Sequence, residues 1–414
     1  IKSHYFFSLE KYFFIFLRRK NMQYSQVIFE KLPSKYQIDI KRYKRIRLIN
    51  TGGFGKVYEV LDTITQIKYA AKVLIYNKEK EYDQIAVNEI NIMTLLHHPS
   101  VVRIIGYSLK DFDDNYNITI IMEYFEKGSL YEYIENVRKS ISDHIFDYTK
   151  SLIILIKIAN VMNYIHQQNI IHGDLKTANI LLGEDFSPHI IDFGLSMNCK
   201  QGQIIRKGKQ SGTPIYMAPE VIAKNNYSEK SDVYSFAFIM YEILTGEVPY
   251  PDFSNGILND FCFKLSVVEK NYRPTFRTLL KQPITELIKR CWAPNPDDRP
   301  TFKEIFSKLA FNDQEFIIHI PHKDVLQYIS QYNIDMYYPE NVCIEEIMNC
   351  LTDILGKDQT EENKNDYEKH NDDIANSKKV CVDEKRENRP VKILETNLSQ
   401  NHIKQGDSVE NFDN

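Results

Sequence analysis

The chain has little with which to staple itself together or leave water. Its 414 residues include six cysteines, at 199, 262, 291, 343, 350 and 381, none at C-x-x-C spacing. Neither a zinc site nor a disulfide framework is therefore indicated, and a reducing compartment is the default. No apolar run reaches the length of a membrane span; the longest near the N-terminus, Tyr12 to Leu17, has Arg18-Arg19-Lys20 behind it, the wrong order for a signal core. Charge of one sign is not in excess. A formal net charge of -4 gives no general pull toward nucleic acid or membrane. The expectation is a cytoplasmic or nucleocytoplasmic protein with no integral membrane segment and no nucleic-acid partner. The first methionine is Met22, and residues 1–21 are given no weight in the fold.

What is present is apolar material for a core: 43% hydrophobic residues against 26% charged, a globular balance. Residues 1–42 are basic, aromatic and unpatterned, an extension of doubtful order. Residues 43–310 are dense in structural signals. Residues 311–356 read as a short helical extension, in which Ile344, Ile347, Leu351 and Leu355 make one apolar stripe that packs on its own domain or binds another protein. Residues 357–414 are polar, with Tyr367 and Phe412 as their aromatics. Such a tail cannot bury enough apolar surface to offset chain entropy and reads as disordered, with partner binding as its alternative use.

The dense zone starts with alternation. "YKRIRLIN", "KVYEVLD" and "IKYAAKVLI" read as three antiparallel strands, and the helical pattern that follows puts Ile85, Glu89, Ile92, Met93 and Leu96 on one face before Pro99. "VVRIIGYSL" and "ITIIMEYF" return to strand character. Ser151 to Gln168 and Val233 to Leu244 are then helix-like. Strands first and helices afterwards imply an α+β chain of two unequal lobes.

Gly52, Gly53 and Gly55 lie between two strands, where bare backbone can approach a polyphosphate; taken alone, glycines so placed are more usually a hairpin with a bulge. Lys72 stands in an apolar strand, where an unpaired ammonium is costly. Glu89, on the apolar face of the next helix, would answer it, unless the lysine reaches solvent. The decisive set is Asp174, Lys176 and Asn179 in "IIHGDLKTANILL", followed by Asp192 and Gly194 in "HIIDFGL". Transfer of a γ-phosphoryl group needs charge neutralisation and alignment more than covalent help, so it asks for carboxylate and amide oxygens for metal, a lysine for phosphate and a carboxylate for the incoming hydroxyl.

With these motifs in order, residues 43–310 resemble a eukaryotic protein kinase domain. The resemblance implies the bilobal kinase fold, with a small antiparallel-sheet lobe carrying one main helix and a larger helical lobe. It implies ATP with Mg²⁺, or Mn²⁺ in its place, and protein substrates. Gly52, Gly53, Gly55 and Val57 would roof the ATP; Lys72, paired with Glu89, would contact its α/β-phosphates. Asp174 would be the catalytic base, Lys176 would sit by the transferred phosphate, and Asn179 and Asp192 would hold metal. Met122 would be the gatekeeper before a hinge at Glu123 and Tyr124, and Ala70 and Leu181 would sandwich adenine with Val57. Met93, Ile104, His172 and Phe193 would stack as the regulatory spine. Glu220 would be anchored by Arg299, and Asp232 would brace the catalytic loop. Lys176 and Thr213, taken with "CWAPNPDDRPTF", resemble the tyrosine-kinase-like group of serine/threonine kinases.

Two departures stand out. Asn50 replaces the first glycine of the phosphate loop; asparagine tolerates left-handed angles, so weaker ATP binding is expected rather than lost catalysis. Gly173 replaces the arginine that, in many kinases, binds a phosphate on the activation loop. Its loss removes a control element without touching ATP. Ser211 remains phosphorylatable. The loop lysines and arginine, Lys200, Arg206, Lys207 and Lys209, read as solvated or as attracting acidic substrates, and "KRYKRIR" reads as a protected strand edge or as a contact for nuclear import or anionic lipid. A nucleotide-binding pseudokinase scaffold and a tyrosine or dual-specificity kinase stay open as alternatives.

Overall fold

Alternation in the sequence becomes an antiparallel five-stranded sheet in the computed structural model, which describes residues 32–52, 55–74, 81–139, 148–208 and 210–311. Expectations for Gly53, Lys209, residues 1–31, the 342–355 helix and the 357–414 tail fall outside these residues. The strands are β1 (Tyr43–Gly52), β2 (Gly55–Asp62), β3 (Lys68–Leu74), β4 (Ile104–Ser108) and β5 (Thr119–Glu123), in the order β1-β2-β3-β5-β4. Directly opposed residues share a face. The pairs Val57 with Lys72, Lys72 with Ile120, and Ala70 with Met122 therefore line one side of the sheet. On the other side Val60, Ala71 and Ile121 pack with Ile40 and Tyr43. Leu32 and Ile40 are buried, and the Ile38 N–H donates to the Tyr107 carbonyl at 2.9 Å. A Cβ on Gly106 would lie 2.7 Å from the Tyr36 oxygen, so glycine admits this segment. Residues just ahead of the boundary at 42/43 thus pack on the sheet as a strap.

Helix α1 (Glu81–Leu95) crosses the inner face and buries Glu89, Ile92 and Met93. The larger lobe holds α2 (Leu130–Lys139), α3 (Tyr148–Gln167), α4 (Pro219–Lys224), α5 (Glu229–Thr245), α6 (Pro251–Ser254), α7 (Asp260–Glu269), α8 (Gln282–Cys291) and α9 (Phe302–Phe311). Helix α5 is buried on every side from Ser231 to Leu244, as only a helix at the centre of a lobe is. A Ser228–Ser231 capping box starts it and Gly246, at φ 70°, ends it. Short strands β6 (Ile170–Ile171), β7 (Ile180–Leu182), β8 (Pro188–Ile190) and β9 (Met197–Asn198) pair as β6 with β9 and β7 with β8. Further on, β10 (Ile205–Arg206) pairs with β11 (Asn226–Tyr227). No helix among the described residues is long and apolar enough to cross a membrane.

One buried ion pair fastens the larger lobe. Arg299, side chain 0% exposed, donates to both carboxylate oxygens of Glu220 at 2.7 and 2.8 Å and to the carbonyls of Ala293 and Lys230 at 2.8 and 2.9 Å. Removing such a cation strands a partly buried carboxylate and several carbonyls. Arg299→Met is expected to destabilise the protein by about 3 kcal/mol, read as a shift in the denaturant midpoint at unchanged slope.

Candidate active site

The sheet and helix α1 converge on Lys72. Its Nζ bonds both carboxylate oxygens of Glu89, at 2.7 and 2.9 Å, and the Asp192 Oδ1 at 2.8 Å. Burial by itself would strip the lysine of its proton, but the two carboxylates outweigh that and hold it well above the usual lysine range. Burial raises Glu89. Asp192 also pays for desolvation, yet the Lys72 charge leaves it below the usual carboxylate range. Asp192 adopts a left-handed backbone, φ 67° and ψ 70°, a strained state for a residue with a side chain. Gly194 follows, and a Cβ there would press on Ile85 Cγ2 at 3.0 Å, so its absence lets α1 close on the turn.

Asp174 is the second focus. Thr213 gives its backbone N–H and its hydroxyl to Oδ1, at 2.9 and 3.0 Å, while Lys176 Nζ holds Oδ2 at 2.6 Å and the Thr213 hydroxyl at 2.8 Å. Asn179 Nδ2 donates to the Asp174 carbonyl at 2.8 Å. From α5, Asp232 accepts the N–H groups of His172 and Gly173 at 2.8 and 2.9 Å and meets His166 Nε2 at 2.9 Å. Gly173 has φ +77°, a conformation that favours glycine. The sequence shows its substitution but not this backbone. Met93, Ile104, His172 and Phe193 are all buried, with the His172 and Phe193 rings 5.3 Å apart.

The glycines differ in their reasons. A Cβ on Gly55 would collide with the Val73 carbonyl at 2.0 Å, whereas one on Gly52 would meet nothing: Gly55 serves packing, and Gly52 leaves open space. Asn50 is not left-handed but lies in β1 opposite Val57, so that tolerance goes unused. Met122 is buried, Leu181 half-buried, and the polar ends of the hinge side chains are engaged. Glu123 holds Arg103 Nε at 3.0 Å, and the Tyr124 hydroxyl takes a bond from Arg47 Nη2 at 2.9 Å.

Sequence reasoning misses a buried trio beneath the catalytic loop. The Tyr216 hydroxyl donates to Glu242 at 2.6 Å, and the Thr177 hydroxyl stands 3.0 Å from Tyr216 and 3.3 Å from Glu242. Burial pushes Glu242 up to about 7. Tyr216 follows "GTPI", which marks the place, but Glu242 looks like any helix glutamate.

The donor set suits a divalent cation. Asn179 spends its amide nitrogen, which leaves the amide oxygen; Asp192 holds Lys72 through Oδ1. Lys72 faces two carboxylates, so negative charge exceeds positive. Amide and carboxylate oxygens are what Mg²⁺ takes when phosphates complete its shell. Among the described residues no cluster of three or more His, Cys, Asp or Glu would hold an ion unaided.

Comparison with known proteins agrees with this geometry. Residues 43–311 match the protein kinase domain family. The serine/threonine-protein kinase STY17 of Arabidopsis thaliana is 31% identical over 295 residues, 70% of this chain and 48% of that protein. TNNI3K, a serine/threonine-protein kinase of Mus musculus, is 33% identical over 284 residues, 67% of this chain and 32% of that protein. The serine/threonine-protein kinase polo of Drosophila melanogaster is 33% identical over 274 residues, 64% of this chain and 44% of that protein. The chain spans about half or less of the length of these relatives. With the match covering well over half of its residues, the chain belongs to the protein kinase family.

Proposed function

We propose that this chain transfers the γ-phosphoryl group of ATP to serine and threonine hydroxyls of protein substrates, as a member of the tyrosine-kinase-like group acting in intracellular signalling. The observation that carries this reading is the Lys72 ammonium bound to Glu89 and Asp192 at once, in a fold that also gathers Lys176, Thr213 and Asn179 around Asp174. A pseudokinase has no need of either arrangement.

In this mechanism Lys72, fixed by Glu89, takes the α/β-phosphates, and the open space at Gly52 admits the polyphosphate. With the Glu123 and Tyr124 side chains engaged by arginines, the hinge meets adenine through its backbone, while Val57, Ala70 and Leu181 enclose the ring. Asn179 and Asp192 would hold a divalent ion, which when bound would supply charge neutralisation at the phosphates. Asp174 orients the incoming hydroxyl and accepts its proton as the new O–P bond forms and the β–γ bridging bond breaks, with ADP as the leaving group. Lys176 balances charge on the transferred group. The Thr213 hydroxyl, lodged between Asp174 and Lys176, supports a role for the pair in engaging an alcohol oxygen.

Radiolabelled transfer to a mixed peptide library tests the reading. Asp174→Asn is expected to cut kcat by about a hundredfold or more while nucleotide binding persists; a wild-type rate no higher than this variant's overturns the proposal. Phosphoamino-acid analysis should yield phosphoserine and phosphothreonine, and a product dominated by phosphotyrosine overturns the specificity. Chelating the divalent ion should abolish transfer, with Mg²⁺ or Mn²⁺ restoring it. Ser211→Ala is expected to keep most of the activity, and a tenfold or greater loss in roughly matched preparations would show that phosphate at this position is required.

A further inference from the structure

The activation loop is fastened at several points by hydrogen bonds to neighbouring segments. Strand β10 pairs with β11, and the Lys207 N–H donates to the Asn225 carbonyl at 3.1 Å. Gln210 Nε2 reaches the Val221 and Ile222 carbonyls at the end of α4, at 3.2 and 3.0 Å. The Tyr227 hydroxyl donates to the Ser211 carbonyl at 2.7 Å and accepts the Ser211 N–H at 3.0 Å. Thr213 then closes on Asp174.

Among these contacts only Lys207 returns to the Asp192 turn. Its ammonium donates to the Leu195 carbonyl at 2.9 Å and lies over the Tyr227 ring, 5.0 Å from its centroid. The sequence reads Lys207 as a solvated loop cation; here it is half-buried, unlike the exposed Lys200 and Arg206. Leu195 directly follows Gly194, so a bond to its carbonyl steadies the turn that aims Asp192 at Lys72. A charged donor on a carbonyl and a cation over an aromatic face are each stronger than an ordinary loop contact. Gly173 lies beside the same carbonyl: a Cβ there would come to 3.0 Å from the Leu195 oxygen and 3.1 Å from Met197 Cε, a tight contact that glycine avoids.

We propose that Lys207 is a positioning residue that clamps the activation loop to the Asp192–Leu195 turn. The proposal rests on the protein-kinase reading for its effect on turnover, but the clamp itself is a statement about loop order.

The test uses the full chain, treated with phosphatase and shown by mass spectrometry to be phosphate-free, as wild type, Lys207→Met and Lys207→Arg. Two quantities are read: amide hydrogen exchange in loop peptides, and steady-state transfer with ATP, Mg²⁺ and a generic peptide substrate. In Lys207→Met the loop amides should exchange about tenfold faster, and kcat should fall about tenfold with KM for ATP within about twofold of wild type. Lys207→Arg, which keeps a cationic donor, should restore both. Unchanged exchange in Lys207→Met overturns the clamp. Faster exchange with kcat unchanged overturns its role in turnover. A wild-type protein that shows the protected loop yet transfers no phosphate leaves the clamp standing and overturns the kinase reading instead.

Discussion

A lysine ammonium in an apolar sheet must be answered by negative charge, and the arrangement of both lobes follows from how Lys72 is answered. Helix α1 has to approach the Asp192 turn closely enough for Glu89 to reach the lysine, which Gly194 permits. The turn at Asp192 has to rise from the larger lobe with a left-handed backbone. One cation thus joins a strand, a helix and a loop separated by 120 positions in the chain. The strain of the turn and the desolvation of three charges are costs the fold sustains in holding these three side chains together.

The catalytic loop is organised by a different device. Asp232, buried in the central helix, accepts two consecutive backbone N–H groups, which fixes the main chain just ahead of Asp174. Buried polar backbone must find partners, and this carboxylate supplies them from a helix buried on every side. Asp174 is held from the far side by Lys176 and Thr213. The geometry of the Asp174 carboxylate therefore depends on the activation loop as much as on its own segment. This dependence gives the fastening of that loop, by Lys207 on Leu195 and by Tyr227 on Ser211, its functional weight.

Much of this was legible in the residues. Strand alternation and helical spacing placed the sheet, α1 and the long helices, because period follows directly from which face is buried. The chemical residues stood out because ions and amides within apolar segments are costly unless used. Other features left no such trace. The packed strap at residues 32–42 has no periodic pattern, and it is held by a backbone bond and by the missing Cβ of Gly106. Glu242 and Thr177 resemble ordinary helix and loop residues until Tyr216 is brought between them.

Gly173 and Lys207 divide what sequence determines from what folding decides. The order of motifs determined the family and the fold class and singled out the candidate phosphate-handling residues, since each is a local choice of side chain at a given spacing. That Gly173 is left-handed, and that a lysine 34 positions later occupies the carbonyl its side chain would crowd, is settled only by the tertiary structure. Backbone angle and long-range partner are set by packing between distant segments, and neither is written in the neighbourhood of either residue.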